Sequence, residues 1–298
     1  MSEAKVALGR RLFFEPRLSV TGKYSCASCH DPALSFSDGR RVAIGATGAA
    51  LPHGAMALIN VAYNVSFGWT KPELRSLEAQ MLEPLLNEHP VEMGMAGRQQ
   101  AVMKTLAADP SYATAFAAVF QDAGPVVTLD HLVKAIAAFE RTLISGDSAF
   151  DRYVFNGQHD ALSPGAKTGM ALFFSPRAGC SACHSGFDFS GNWRDSEGET
   201  GEPSFANNGT SEQPMRVPTL RNIALTAPYM HDGRFRTLQE VVDHYSRVAE
   251  RARAEHDVKI DARLRTFDLT QAEESELIDF LNTLTDASFV QGFNRGDR

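Results

Sequence analysis

Two short stretches decide the fold of this chain: CASCH at residues 26–30 and CSACH at residues 180–184. Together they contain all four cysteines of the 298-residue sequence. In a CxxCH motif the two thiols attach covalently to a haem, and the histidine becomes a ligand of its iron. We therefore predict two covalently bound haem c groups. Their attachment residues are Cys26, Cys29 and His30 for the first haem, and Cys180, Cys183 and His184 for the second.

Other interpretations of paired cysteines fit less well. A disulfide framework is typical of shorter chains that are denser in cysteine. A thioredoxin-like redox pair would account for one CxxC and would not require the histidine. A zinc site built from two such pairs usually separates them by about 15 to 20 residues, whereas the first cysteines here are 154 residues apart.

The sequence around the two motifs is duplicated. The copies lie 160 to 162 residues apart, and the offset shrinks to 154 at the cysteines, so insertions fall in loops. We predict a mainly α protein made of two homologous cytochrome c-like haem domains, residues 1–158 and 159–298, with the boundary near residues 156–164. The repeated phrases are GRRLFFEPR (9–17) and GMALFFSPR (169–177), NVAYN (60–64) and NIALT (222–226), and RSLEAQM (75–81) and RTLQEVV (236–242).

Apolar periodicity predicts helices over residues 130–143 and 270–284. Capping boxes, in which a threonine and a glutamate three residues later bond each other's backbone N–H, open two of the predicted helices. They are formed by Thr237 with Glu240 and by Thr270 with Glu273.

Composition excludes some partners. The net charge of −7 argues against a nucleic-acid partner, which would require a basic face. No apolar run approaches the roughly 18 residues of a membrane span. Haem c attachment implies an exported bacterial protein, so we expect a periplasmic location. The first residues lack a secretion-signal pattern, and we expect a signal peptide to have been removed.

The residue opposite each proximal histidine decides what each iron does, because an iron with an open face binds peroxide and a closed one transfers electrons. In the helix that begins after Thr237, Tyr245 lies on the apolar face and His244 is rotated off it. Tyr245 is either a core aromatic or the residue that caps the second haem. His244 is the next candidate for that cap.

The equivalent of Tyr245 in the first repeat, 161 residues earlier, is Pro84. Proline has no group that binds iron, so the repeat predicts an open first haem. Gln80 and Glu92 are nearby in sequence and are candidates for hydrogen bonding and proton transfer there, although each alone reads as a surface residue. Trp69 is either a core residue or an electron relay between the haems.

The order of these motifs resembles the bacterial di-haem cytochrome c peroxidase and MauG superfamily over residues 8–284. The resemblance implies that the N-terminal haem reacts with peroxide, with Gln80, Pro84 and Glu92 on its distal side. It implies that the C-terminal haem transfers electrons and that Trp69 links the two. The matching phrases are CASCH, NVAYN, VEM (91–93), ERTL (140–143), LFFSPR (172–177), CSACH and VPTLRNIALTAPYMHDG (217–233).

Two differences from the peroxidases favour the MauG-like branch of the superfamily. Tyr245 stands where the peroxidases place a methionine ligand, and IGA at residues 44–46 replaces the IGH phrase that carries a blocking histidine. The resemblance then implies an enzyme in which hydrogen peroxide forms a high-valent di-haem state that oxidises a residue, such as tryptophan, of a partner protein. The alternative is a cytochrome c peroxidase that takes electrons from a small cytochrome c or copper protein. A plain electron carrier is disfavoured by Pro84.

Two further predictions concern the partner protein and a calcium ion. Ala178 replaces the surface tryptophan that MauG uses, which favours a different substrate, as in the MauG homologues associated with methanobactin operons, and Trp193 is a candidate surface relay. The resemblance also implies a calcium ion bound by the carbonyls of Thr226 and Pro228. Gly54 replaces the family's asparagine ligand, and Asn60 or water is a candidate substitute.

Overall fold

The protein is described by a computed structural model that covers residues 1–121, 124–191, 204–255 and 258–294. Within these ranges it is mostly helical, which confirms the predicted class, and no helix there is long and apolar enough to cross a bilayer. Two short strands, β1 (Phe205–Ala206) and β2 (Met215–Arg216), pair antiparallel. The α-helices of the described ranges are α1 (Glu3–Phe13), α2 (Leu77–Leu86), α3 (Gln99–Ala107), α4 (Pro110–Val119), α5 (Leu129–Glu140), α6 (Ala149–Val154), α7 (Pro164–Phe173), α8 (Leu238–Ala254), α9 (Gln271–Asn282) and α10 (Ala287–Asn294).

The duplication is visible as two packed helix pairs, α1 with α5 and α7 with α9. A Cβ atom on Gly9 of α1 would lie 1.8 Å from the carbonyl oxygen of Ala135, and one on Gly169 of α7 would lie 1.8 Å from that of Glu276. No side chain fits at either point, so the two helices of each pair meet backbone to backbone. Both glycines open the repeated phrases found in the sequence.

The capping signals set the helix starts. Both predicted capping boxes form, at Thr237 with Glu240 and at Thr270 with Glu273. The helix predicted over residues 130–143 begins at Leu129 and ends earlier, at Glu140, because the chain tightens there into a turn closed by the Thr142 N–H to Phe139 O bond of 2.8 Å. The prediction therefore identified the helices and missed their C-terminal ends.

Each half has its own apolar core, and each core takes a helix from beyond the predicted boundary. Phe150 of α6, which precedes that boundary, packs in the second core. Phe289 and Phe293 of α10, at the other end of the chain, pack on the first core against Phe36, with ring centroids 6.1 and 5.1 Å away. The two halves are therefore interlocked.

A buried ion pair fixes α6 to the loop before α8. The side chains of Arg221 and Asp151 are 0% and 4% exposed and form two hydrogen bonds of 2.8 and 2.9 Å. Arg221 Nε also donates to the Phe187 carbonyl at 2.7 Å, and Asp151 accepts from the Ser148 hydroxyl at 2.7 Å. Because both ions are also hydrogen-bonded to other groups, removal of one would leave a buried, unpaired charge.

We predict that Arg221→Met lowers the free energy of unfolding by about 3–5 kcal/mol, since Asp151 would stay buried without its partner. Urea titration of the haem-loaded protein measures this change. The control is Arg251→Met, which breaks a pair whose side chains are 48% and 54% exposed and costs less than about 1 kcal/mol. Equal losses in the two variants would contradict the role given to the buried pair.

Candidate functional site

The two CxxCH motifs fold alike. Each forms one turn of 3₁₀-helix, Cys26–Ser28 in the first and Cys180–Ala182 in the second. The N–H of His30 donates to Cys26 O, and that of His184 to Cys180 O, both at 2.9 Å. The turn therefore brings both cysteines and the histidine of each motif together.

The histidine rings are oriented for metal binding. His30 Nδ1 lies 2.9 Å from the Phe36 carbonyl, and His184 Nδ1 lies 2.8 Å from that of Phe189. A carbonyl only accepts, so each Nδ1 carries the proton, and Nε2 is the nitrogen that would bind a metal. The carbonyls of Met56 and Pro218 also hydrogen-bond the rings of His30 and His184, respectively. Burial lowers the pKa of both histidines and keeps them neutral, the form that binds iron.

The cysteines are in surroundings that favour an uncharged sulfur. Burial raises the pKa of both Cys26 and Cys180 to about 12. A redox-active or zinc-binding cysteine needs the thiolate, which is disfavoured here. A thioether to a haem carries no charge and fits these positions.

A cavity of about 440 Å³ opens beside the second motif, within the range of cofactor pockets. Cys180, Cys183 and His184 contribute to one side of its wall, and Tyr245 of α8 also lines it. The rest of the lining is largely apolar, as a porphyrin requires. This part of the chain therefore fits a covalently bound haem.

The structure brings Tyr245, and not His244, to this cavity. The Tyr245 hydroxyl accepts a hydrogen bond from Asn208 Nδ2 at 3.3 Å. Burial raises the pKa of Tyr245, and the Asn208 bond partly opposes this. His244 Nε2 instead lies 2.8 Å from the Asn208 carbonyl, so this nitrogen already has a hydrogen-bond partner.

The three residues predicted on the distal side of the first haem come from two neighbouring segments. Gln80 and Pro84 lie in α2, with Pro84 inside the helix. The Met93 N–H donates to Pro84 O at 2.9 Å, which holds the segment containing Glu92 against the end of α2. The sequence therefore brings Pro84 and Glu92 together across a short turn.

Glu92 is a half-buried carboxyl close to the first motif. Burial raises its pKa, and the charge of Glu83 raises it further, while Lys71 lowers it. The carboxylate in turn contributes to raising the pKa of Cys29, which indicates that the two groups are within electrostatic reach. Such a carboxyl exchanges protons closer to neutral pH than an exposed one.

The IGA phrase packs on the backbone next to Glu92. The Ala46 N–H donates to Glu92 O at 2.7 Å, and a Cβ on Gly45 would lie 2.2 Å from Val91 O. Ala46 is buried and offers no iron-binding group. No residue of this phrase therefore supplies a ligand to the first iron.

Trp69 lies between the two halves. Its ring lines both the 440 Å³ cavity and a smaller one of about 90 Å³. Trp69 Nε1 donates to Gly54 O at 2.9 Å, and the indole is 6.4 Å from the ring of His231 and 6.3 Å from that of His53. The side chain is thus fixed at the edge of the second haem cavity.

The smaller cavity holds the predicted calcium carbonyl residues, Thr226 and Pro228, together with Gly54. Asp38 also lines it, and its Oδ2 atom is buried without a hydrogen-bond partner. The structure does not bring Asn60 to this cavity. The side-chain amide of Asn60 is instead hydrogen-bonded to Ser145 and Asp188.

Sequence reasoning missed several polar residues near the site. Arg216 is buried and lines both cavities, and its N–H donates to Trp69 O at 2.8 Å. Asp188 is buried next to Phe189, the residue that holds His184. The repeated asparagine of NVAYN and NIALT could have pointed to Asp188, which Asn60 contacts, and no sequence signal pointed to Arg216. Trp193, the predicted surface relay, lies outside the described residues.

Comparison with known proteins gives concordant matches. Residues 3–160 match the family model described as di-haem cytochrome c peroxidase. The methylamine utilization protein MauG of Methylorubrum extorquens is 36% identical over 95% of this chain and 79% of its own length. The cytochrome c551 peroxidase of Pseudomonas aeruginosa is 32% identical over 81% of this chain and 71% of its own length.

A solved structure described as a MauG-like protein associated with microbial copper homeostasis has a TM-score of 0.89 and 35% identity to this chain, covering 97% of it and 91% of the other. The family model spans more than half of the sequence, and both relatives align over more than two thirds of it. The chain therefore belongs to the di-haem cytochrome c peroxidase family, which includes MauG, and is a haem-dependent oxidoreductase.

Proposed function

We propose that this protein is a MauG-like enzyme that uses hydrogen peroxide to oxidise an amino-acid residue, most simply a tryptophan, of a partner protein in the periplasm. The observation that carries the proposal is Tyr245, which lines the second haem cavity where the peroxidases use a methionine. When bound, the two haems supply iron centres that together store the two oxidising equivalents of peroxide. The alternative is a cytochrome c peroxidase that receives electrons from a small cytochrome c or copper protein.

In this proposal the hydroxyl of Tyr245 would be a ligand of the second haem. A phenolate is a harder, anionic ligand than a thioether, and it stabilises an oxidised metal better. The Asn208 amide favours the deprotonated hydroxyl because it donates a hydrogen bond to it at 3.3 Å. His184 would supply a second ligand to the same haem, and a haem held by both residues would transfer electrons without binding peroxide.

The first site is the peroxide-reactive one. Pro84 contributes no iron-binding atom on the distal side and leaves room for peroxide. Glu92 would accept a proton from one oxygen of peroxide and return it to the other oxygen, which leaves as water. Gln80 donates a hydrogen bond to the oxygen that carries the developing charge.

Trp69 carries electrons between the two sites. Its indole lines the second haem cavity, and its Nε1–H to Gly54 O bond keeps it in one orientation. The electrons then come from the partner. The solved relative associated with copper homeostasis makes a copper-related peptide or protein a reasonable partner class for this chain as well.

We also propose a calcium ion in the 90 Å³ cavity. Calcium prefers oxygen ligands, and the carbonyl residues Thr226 and Pro228 meet the unpartnered Asp38 Oδ2 there. The Asp38 carboxylate would supply the side-chain oxygen that an asparagine supplies in the family and that Gly54 lacks. In that position the ion stiffens the contact between the halves beside Trp69.

We predict that peroxide added to the diferric protein, without prior reduction, produces a long-lived two-electron-oxidised state. Tyr245→Phe removes the hydroxyl and keeps the ring, and we expect it to change the second haem's spectrum. The lifetime of that state should fall at least tenfold, which corresponds to about 1.4 kcal/mol. Stopped-flow spectroscopy measures both effects.

The control is His244→Gln, which should leave the spectrum and the lifetime unchanged. If the parent protein reacts with peroxide only after one haem has been reduced, the peroxidase alternative is correct. If Tyr245→Phe leaves the spectrum of the second haem as it was, Tyr245 is not its ligand.

We predict that Glu92→Gln slows the reaction with peroxide by a factor of about 10² to 10⁴, as expected for loss of a general base. In the parent the rate should fall as the pH drops through the raised pKa of Glu92, because a protonated carboxyl accepts no proton. Glu92→Gln should abolish this acid limb. Rates measured between pH 4 and pH 8 test both expectations.

The matched control is Glu83→Gln, on α2. Since the charge of Glu83 raises the Glu92 pKa, its removal should shift the acid limb to lower pH and leave the neutral rate nearly intact. A pH profile of Glu92→Gln that keeps the parent's acid limb would assign proton transfer to another group.

We predict that Asp38→Asn weakens calcium binding at least tenfold, because the site loses its charged oxygen ligand. Calorimetric titration of calcium into the chelator-treated holoprotein measures the affinity. Asp31→Asn, an exposed carboxylate in the same loop, is the control and should bind as the parent does. Equal affinity in Asp38→Asn and the parent would place the ion elsewhere.

A further inference from the structure

Two asparagines occupy equivalent positions in the repeats. Asn60 and Asn222 are 162 residues apart, both are fully buried, and both have a φ of 56° at the start of a 3₁₀ turn. The backbone N–H of Asn60 donates to Leu143 O at 2.7 Å, and that of Asn222 to Leu284 O at 3.0 Å. Their backbones are thus held within their own halves.

The Asn60 side chain reaches into the other half. Its Nδ2 donates to Asp188 Oδ1 at 3.1 Å, and its Oδ1 accepts from the Ser145 N–H at 2.8 Å. Asp188 is the residue directly before Phe189, whose carbonyl accepts the Nδ1 proton of His184. A residue of the first half therefore braces the proximal loop of the second.

Asn222 makes the reciprocal contact. Its Nδ2 donates to the Ser35 hydroxyl at 2.8 Å, and its Oδ1 accepts from the Asp286 N–H at 2.7 Å. Ser35 is the residue directly before Phe36, whose carbonyl accepts the proton of His30. The two braces are related by the duplication, and each crosses the boundary between the halves.

The braced loops have backbone conformations that need support. Phe36 and Phe189 have φ values of 60° and 50°, a region that bulky residues rarely adopt, and Ser35 has a φ of 57°. Such conformations persist only where the surroundings over-determine them. A buried amide bonded to the preceding residue supplies this constraint and fixes the direction of the carbonyl.

We propose that Asn60 and Asn222 are a reciprocal pair of positioning residues, each of which belongs to one haem domain and orients the proximal-histidine loop of the other. The inference rests on His30 and His184 being the iron ligands of the proposed function. It makes each iron sensitive to the fold of the opposite half, because the hydrogen bond to Nδ1 sets the basicity and orientation of the ligand.

The two braces end on different groups. The first haem's loop is held through the neutral Ser35 hydroxyl, and the second through the Asp188 carboxyl. Thr219 Oγ1 also donates to Asp188 Oδ1 at 3.0 Å, and Asp188 Oδ2 is buried without a partner. A carboxylate behind the second histidine favours the oxidised iron of that haem over the reduced one.

Charged groups face Asp188 from two sides. Arg216 and Arg221 both favour its carboxylate, although Arg221 is bonded to Asp151. Burial outweighs them and raises the pKa of Asp188 to about 7. The carboxylate is therefore the main form above neutral pH, and its charge is best tested there.

The test uses Asn60→Gly and Asn222→Gly, since glycine accepts the positive φ and removes only the amide. Reduction potentials of both haems are measured by spectroelectrochemistry at pH 8.5 without peroxide. We expect Asn60→Gly to change the reduction equilibrium of the second haem about tenfold, which is 59 mV for a one-electron couple, and Asn222→Gly to change that of the first. Each variant serves as the control of the other.

The deciding observation is which haem changes its reduction potential in each variant. If each variant perturbs the haem of its own half, or if both lose stability with unchanged potentials, the asparagines are only structural and the proposal fails. Because peroxide is absent, this result is separate from whether the protein oxidises a partner.

Asp188→Asn keeps the shape and removes the charge. At pH 8.5 it should raise the potential of the second haem, favouring its reduction about tenfold, and leave the first haem unchanged. An unchanged second potential would show that Asp188 supports the loop without acting on the iron.

Discussion

The hydrogen bond from a histidine Nδ1 to a phenylalanine carbonyl is the constraint on which both sites depend. A neutral imidazole binds a metal through one nitrogen only when the other holds the proton. In this chain the carbonyls of Phe36 and Phe189 receive that proton, at 2.9 and 2.8 Å. The positive φ angles and the asparagines hold these carbonyls in place. They therefore also hold the two histidine rings that would bind the irons.

Duplication produced two equivalent sites, and substitutions at equivalent positions made them unequal. Tyr245 stands at the position equivalent to Pro84, and Asp188 stands at the position equivalent to Ser35. Both changes add an oxygen that can carry negative charge to the second half. In the proposed function they act in the same direction, because each favours the higher oxidation state of the second iron.

Much of this was predictable from the sequence because it depends on local signals. Each of these features is formed by residues a few positions apart in the sequence: the two CxxCH turns, the capping boxes at Thr237 and Thr270, and the amphipathic face that carries Tyr245. The positions of Asn60 and Asp38 were not predictable, since their contacts join segments far apart in sequence. Helix α10 shows the same limit, because its packing against Phe36 depends on how the two halves interlock.

Two histidine rings lie beside Trp69. Trp69 is equivalent to His231 in the second repeat, so the duplication placed an imidazole beside it, and His53 lies 5.3 Å from that imidazole. Burial lowers the pKa of both histidines, and in the case of His53 the charge of His231 lowers it further. Both rings are therefore neutral at pH 7 and place no positive charge against an oxidised tryptophan. In the proposed relay this matters because the buried Arg216 lines the same two cavities as Trp69, and further positive charge there would raise the energy of the indole radical cation.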